Sequence, residues 1–353
     1  MPLEDFALSV GIDRYPGLKP LYGAQADARA FHAWVTGAGG VDEPTGNAKL
    51  ILSSDFPDDE PVQTARPNHQ QIWDFFVRLR QIADTNNNGS EGLGYVAGRR
   101  LYLFFAGHGF SPTLDASGIL MANADGNDVH NLSPKMWADR FYENGLFEEI
   151  LLFQDACRET APDVDLTPPY WRLSPAGGIA DRKRFYAFAA KTPLLAIEKD
   201  IAGKARGIFS ATLMEALEGA ARDPASGEIS AARLKEYLVA NMVKRLEPAD
   251  LSNEDIAKRP EVHDFDPLVI SVAPVGAPPV QRFPVVIDPA PAAGAAIRDA
   301  ALKVVAKSPG DAPWALSLPV GFYELIEPGM PERLFKVSGA IDANGQQEVN
   351  HVG

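Results

Sequence analysis

Cysteine is almost absent from this chain: its 353 residues include one, Cys157. No intramolecular disulfide can form, so no part of the fold depends on a covalent staple. A lone Cys, with a His elsewhere in the sequence, is a candidate nucleophile. Long apolar runs are also missing, and none approaches the roughly 18 residues that a membrane span needs. The opening residues, Met1-Pro2-Leu3-Glu4-Asp5-Phe6, show neither the basic nor the apolar stretch of a signal peptide, so a cytoplasmic protein is expected. Positive charge is scarce. Lys and Arg number 33 against 47 Asp and Glu, giving a net charge of −14. That balance argues against sequence-independent nucleic-acid binding, which relies on neutralising phosphates. It suits basic peptides as partners. No G-x-S-x-G elbow occurs, which counts against a serine esterase.

What is present is a globular composition, with 46% hydrophobic and 23% charged residues. Two apolar runs stand out: Arg99-Arg100-Leu101-Tyr102-Leu103-Phe104-Phe105-Ala106-Gly107-His108-Gly109 and Glu149-Ile150-Leu151-Leu152-Phe153-Gln154-Asp155-Ala156-Cys157-Arg158. Each reads as a buried strand of a parallel sheet that ends in a reactive side chain. Ligands of open α/β sheets bind beyond the carboxyl ends of the strands. His108 and Cys157 are therefore expected to meet at one sheet edge as a base and a nucleophile.

Strand patterns at 6–12, 48–53, 99–106, 149–155 and 184–190 alternate with helix patterns at 24–37, 68–83, 133–143, 207–221 and 230–245. Such alternation predicts a mostly parallel sheet with helices on both faces. A strand at about 266–272 would be its sixth. The segment 158–183, with Pro162, Pro168, Pro169, Pro175, Gly177 and Gly178, reads as a long functional loop. After residue 272 the prolines Pro274, Pro278, Pro279, Pro284, Pro289 and Pro291 mark a linker. Short runs at 314–318, 321–326 and 333–337 read as strands of a small β-rich region. The expected division is 1–272 and 273–353. Within the first part, a large half ends at about residue 160 and a small half covers 184–272.

The spacing of 49 residues between His108 and Cys157, with Asp155-Ala156-Cys157-Arg158-Glu159 around the Cys, resembles the caspase-like (clan CD) cysteine peptidases. Asp155, two positions before the Cys, is similar to the metacaspase and prokaryotic orthocaspase branch rather than to caspases, which carry Gln there. Three more segments resemble the family in order: Phe6 to Tyr15 as first strand and turn, Leu21-Tyr22-Gly23-Ala24-Gln25-Ala26-Asp27-Ala28 as entry to the first helix, and Gly207 to Leu217 as the G-x-F-T-like helix. The resemblance covers residues 6 to about 220. Together with the Ala, Pro and Gly content it suggests a bacterial protein.

The resemblance implies an α/β, caspase-like, mostly parallel six-stranded sheet flanked by helices, with the C-terminal β-rich region added. It implies a cysteine endopeptidase with His108 and Cys157 as catalytic dyad and the backbone N–H groups of Gly109 and Cys157 as oxyanion donors. Asp27, Asp155 and Ser210, with Phe209 beside it, would line the pocket that selects Arg or Lys before the cut bond. Two carboxylates can hold a guanidinium in a fork. Substrates would be proteins or peptides with basic residues. Arg172, Arg182, Lys183 and Arg184 are candidate self-cleavage points on the same logic.

No cofactor is expected. Asp125 and Asp165 resemble calcium ligands of relatives, but the acidic pair that should follow Asp125 is replaced by Asn131-Leu132-Ser133-Pro134. Hard cations need six to eight oxygen ligands, so calcium dependence is not expected. Asp84-Thr85-Asn86-Asn87-Asn88-Gly89 matches half of an EF-hand loop, yet its twelfth position is Tyr95 instead of Glu; a polar loop is the expectation. His32, His69, His130, His263 and His351 are read as surface or satisfied core residues. A second reading is a signalling or scaffold protein that binds partners through the C-terminal β region.

Overall fold

The computed structural model describes residues 3–89, 93–171, 179–190, 198–201, 204–242, 260–272, 282–287, 293–299, 304–308, 310, 314–319, 321–330, 332–337 and 350–352. Two compact units divide the chain, Met1–Val275 and Gly276–Gly353.

In the first unit the elements are β1 (Asp5–Gly11), α1 (Ala24–Thr36), β2 (Ala48–Leu52), α2 (His69–Asn88), β3 (Gly98–Ala106), β4 (Gly109–Ser111), β5 (Gly118–Leu120), β6 (Asn131–Leu132), α3 (Pro134–Asn144) and β7 (Phe147–Asp155). They continue with β8 (Glu159–Thr160), β9 (Lys183–Phe188), β10 (Glu198–Ile201), β11 (Lys204–Gly207), α4 (Ile208–Glu215), β12 (Glu228–Ser230), α5 (Ala231–Asn241), β13 (Glu261–Asp264) and β14 (Val269–Val272). The main sheet has six strands in the order β13-β9-β7-β3-β1-β2. Five run parallel and β13 runs antiparallel against β9. The fold is the expected class, α/β with a mostly parallel six-stranded sheet flanked by helices.

Strands of a buried sheet show apolar side chains to both faces. In β3, Tyr102 and Phe104 enter one core with Phe31, Leu213 and Leu234, while Leu101, Leu103 and Phe105 enter the other with Phe76, Trp137 and Phe141. Helix ends follow local chemistry. Asn68 opens α2 with a capping box: its Oδ1 accepts from Gln70 N–H at 3.0 Å and its N–H donates to Gln71 Oε1 at 2.7 Å. Ser133 caps α3, Pro134 is its first residue, and Gly145 ends it in the left-handed region at φ 65°.

The structure corrects several expectations. The sixth strand is β13, not 266–272; the apolar run there forms β14 and pairs with β12. Edge strands can be short and polar, and Glu261-Val262-His263-Asp264 is both. The EF-hand-like stretch is helical, because α2 continues to Asn88. Thr85 Oγ1 donates to Gln81 O at 2.8 Å, and Asn86 Nδ2 reaches Val96 O at 2.7 Å. The expected loop 158–183 begins with β8, which pairs with β4. The helix expected at 207–221 stops as an α-helix at Glu215, and Gly219 has φ 121° in the wide turn that follows. The helix expected at 230–245 is α5, which ends at Asn241; residues 243–245 lie outside the described ones.

The second unit is antiparallel. Its strands are β15 (Arg282–Ile287), β16 (Ala296–Asp299), β17 (Val304–Lys307), β18 (Trp314–Pro319), β19 (Gly321–Ile326), β20 (Arg333–Val337) and β21 (Asn350–Val352). Five form the sheet β17-β16-β19-β20-β21, and β15 pairs with β18. Val285, Ile297, Trp314, Leu325, Phe335 and Val337 make its core.

Candidate active site

Strands β3 and β7 lie side by side, with Ala106 in register with Asp155. The chain leaves both at the same edge. Gly107 N–H donates to Asp155 O at 3.2 Å, tying the turn that carries His108 to the one that carries Cys157. A Cβ at Gly107 would come 2.6 Å from Tyr15 Oη, so the turn requires glycine. Tyr15 is buried, and burial pushes its hydroxyl far above the usual range. The hydroxyl accepts from His108 N–H at 2.9 Å and donates to Leu120 O at 3.4 Å. Its ring packs on the imidazole at 4.8 Å between centroids.

His108 Nε2 lies 2.7 Å from Lys19 O. A carbonyl can only accept, so Nε2 carries the proton and Nδ1 is the basic nitrogen of the neutral ring. Cys157 is partly exposed. A pocket of about 70 Å³ is lined by Leu21, Ala24, Asp27, Ala106, Gly107, His108, Asp155, Cys157, Glu198 and Gly207. His108 and Cys157 thus share one cavity with three carboxylates. Gly109 backs onto the Cys157 turn: a Cβ there would meet Cys157 O at 2.6 Å.

Both pocket aspartates are buried. Asp155 Oδ2 accepts from Ser210 N–H at 3.0 Å and from Ser210 Oγ–H at 2.6 Å. Phe209, beside it, is buried in the core. Burial raises the Asp155 carboxyl to about 6 against the opposing bonds from Ser210. Asp27 is raised further, to about 7, by burial first and by the Asp155 charge second. Asp27 accepts from Gly207 N–H at 2.8 Å and pairs with Arg206 Nε. Ser210 therefore orients Asp155 from behind.

Three features escaped sequence reasoning. Arg158 is only 1% exposed although it follows the partly exposed Cys157. Its guanidinium donates to Ser111 Oγ at 3.2 Å, Leu114 O at 2.9 Å and Glu261 Oε2 at 2.6 Å. It locks the Cys157 turn to β4 and to the edge strand β13. Arg206 and Glu198 come from the β10–β11 hairpin, whose charged sequence carries no strand signal. Gly207 was legible only as the first residue of a helix motif.

Other expected residues fall elsewhere. Arg182 Nη1 donates to Tyr142 O at 2.6 Å and Glu143 O at 3.0 Å. Arg184 pairs with Asp139 at 3.0 Å. Lys183 stands opposite Glu149 at the start of β9. That is the far end of the sheet from Cys157, about 20 Å along β7 at roughly 3.3 Å per residue. Arg172 lies outside the described residues. Asp125 closes its own turn, accepting from Asn127 and Asp128 N–H at 2.7 and 2.8 Å, and Asp165 meets Asn131 through its backbone carbonyl. Among the described residues no three His, Cys, Asp or Glu side chains gather as a metal site. No described helix is long and apolar enough to cross a membrane. A larger cleft of about 860 Å³ lies around Arg99, Arg100 and Asp266. Neither Cys nor His is among its described lining residues, and Arg100 there is already paired with Glu149.

No family profile matches the chain. It is 27% identical over 237 residues to a probable protease of a Desulfuromonadales bacterium, a match that covers 62% of this chain and 26% of that protein. The chain thus spans about a quarter of that relative's length. Among solved structures it is similar to caspase-1 from Spodoptera frugiperda, with a TM-score of 0.44 and 13% identity over 78% of this chain and 93% of that one. A Geobacter sulfurreducens protein matches with a TM-score of 0.42 and 12% identity, over 74% of this chain and 92% of that one.

Proposed function

We propose that this chain is a caspase-like cysteine endopeptidase that cuts after Arg or Lys. The observation that carries the reading is one pocket lined by His108, Cys157, Asp27 and Asp155. Nδ1 of His108 takes the thiol proton, and the Cys157 thiolate attacks the scissile carbonyl. The backbone N–H groups of Gly109 and Cys157 receive the oxyanion. As the C–N bond breaks, the imidazolium gives its proton to the leaving amine. His108 then draws a proton from water, whose oxygen attacks the thioester and frees Cys157. Asp155 and Asp27 bind the basic side chain before the cut. The scheme uses no metal.

Fluorogenic peptides ending in Arg, Lys or Asp, assayed with EDTA or calcium beside Cys157→Ala, test this. Turnover of the Arg and Lys peptides alone, indifferent to EDTA and lost in the variant, is the expected result. Turnover of the Asp peptide, or activity that survives Cys157→Ala, refutes it. A second reading, a partner-binding scaffold, draws on the C-terminal unit, where Phe322 and Leu334 are exposed on the adjacent strands β19 and β20. Partner capture by Cys157→Ala from a chain with no turnover in any condition would favour it.

A further inference from the structure

One carboxylate of the acidic pocket, Asp27, is already paired with a cation that stands behind the pocket lining. Arg206, on β11, pairs its Nε with one oxygen of Asp27, and the next N–H, Gly207, takes the other at 2.8 Å. Both Asp27 oxygens are therefore engaged by the hairpin. The Arg206 side chain is 20% exposed, and its Nη2 is buried without a hydrogen-bond partner among the described residues. Across the hairpin Glu198 is the strand partner of Gly207. Its carboxylate accepts from Tyr22 N–H at 3.1 Å and Gly23 N–H at 2.8 Å. The hairpin thus clips onto the start of α1 at both of its strands. A Cβ on Gly23 would meet Arg206 Cα and Glu198 Oε1, each at 3.0 Å.

This arrangement leaves about 70 Å³ of free space. Ligand clefts commonly offer roughly 300 Å³ or more. A pocket charged for a cation is therefore nearly shut, and one of its three carboxylates is paired with an Arg of its own chain. The closed form is also incompletely satisfied, since a buried unpaired donor is costly and Nη2 is one. Release to solvent would satisfy it.

We propose that Arg206 is the cation that holds Asp27 at the wall of this pocket and that β11 is its gate, so that a guanidinium ligand enters by taking Asp27 from Arg206. The inference rests on the basic-side-chain reading above. Arg206 is a competitor for the pocket, and its pairing with Asp27 sets how strongly a basic group is held.

The test uses agmatine, a guanidinium without a scissile bond, bound calorimetrically to the full chain at pH 8.5. Arg206→Gln is expected to bind at least tenfold more tightly than the native chain. Equal or weaker binding overturns the proposal, because Arg206 would then support Asp27 instead of competing for it. Hydrogen exchange on the native chain keeps the question open to refutation if the variant fails to fold. Saturating agmatine should speed exchange at residues 204–207 severalfold, and unchanged or slower exchange there overturns the gate. Peptide turnover is read separately. No turnover by either chain, with tighter agmatine binding by Arg206→Gln, sinks the peptidase reading and upholds the gate.

Discussion

The carboxylates of Asp27 and Asp155 face each other across the backbone of Gly207. A Cβ at that position would lie 2.0 Å from Asp155 Oδ2 and 3.1 Å from Asp27 Oδ2. The separation of the two acids is thus set by the absence of a side chain. Gly207→Ala should raise KM for Arg peptides at least tenfold, because one carboxylate must move away. A steady-state comparison of KM and kcat against the native chain checks this.

Proton occupancy of the two acids governs affinity for a cation. Both are raised, Asp155 to about 6 and Asp27 to about 7, with burial the leading cause in each. KM for an Arg peptide should fall as pH rises from about 5.5 to about 8, while an uncharged ligand shows no such trend. Ser210→Ala removes a bond that lowers the Asp155 value, so the transition should shift toward higher pH. A shift toward lower pH, or none, would contradict the assignment.

The same protons couple to folding. Between about pH 4 and 7 the folded chain holds protons on Asp27 and Asp155 that the unfolded chain has lost. Their contribution to stability therefore declines as pH rises through that window and stays low above it. Asp155→Asn, which cannot ionise, should flatten part of this slope in urea titrations at pH 4.5 and 7.5.

Buried Arg158 pairs with the partly exposed Glu261, between the Cys157 turn and the edge strand β13. Glu261→Ala takes the carboxylate from a buried guanidinium that keeps its bonds to Ser111 and Leu114, and should cost about 2 kcal/mol. Denaturant unfolding measures it. Alkylation of Cys157 by iodoacetamide should also change rate, since the turn loses its anchor.

Tyr15→Phe removes a hydroxyl that bonds both His108 N–H and Leu120 O. The stability loss should be about 1 kcal/mol. With His108 less firmly placed, kcat should fall by about an order of magnitude with little change in KM.

His108 and Cys157 could be read from the chain because each ends an apolar run long enough to be a buried strand, and parallel neighbours deliver their ends to one edge. Asp27 and Asp155 could be placed through motif likeness, but not Arg206, the partner of Asp27. Arg206 and Glu198 sit in a charged hairpin with no periodicity. Arg158 and Glu261 meet across 103 residues, which no local pattern encodes. The sixth strand was misplaced for a related reason. Its polar edge sequence looks like loop, while the apolar run beyond it does form a strand and pairs with β12.

The position of Arg182 and Arg184 bears on how the chain could be processed. They flank the entrance of β9, at the opposite end of the sheet from Cys157, with β7 lying between. Cys157, at one end of the sheet, cannot reach a peptide bond at the other end of its own chain without stripping β9 from the sheet. Cutting at these sites would therefore be done by one molecule to another. Its half-time would shorten on concentrating the protein, whereas a cut made within a single chain would proceed at the same pace at every dilution.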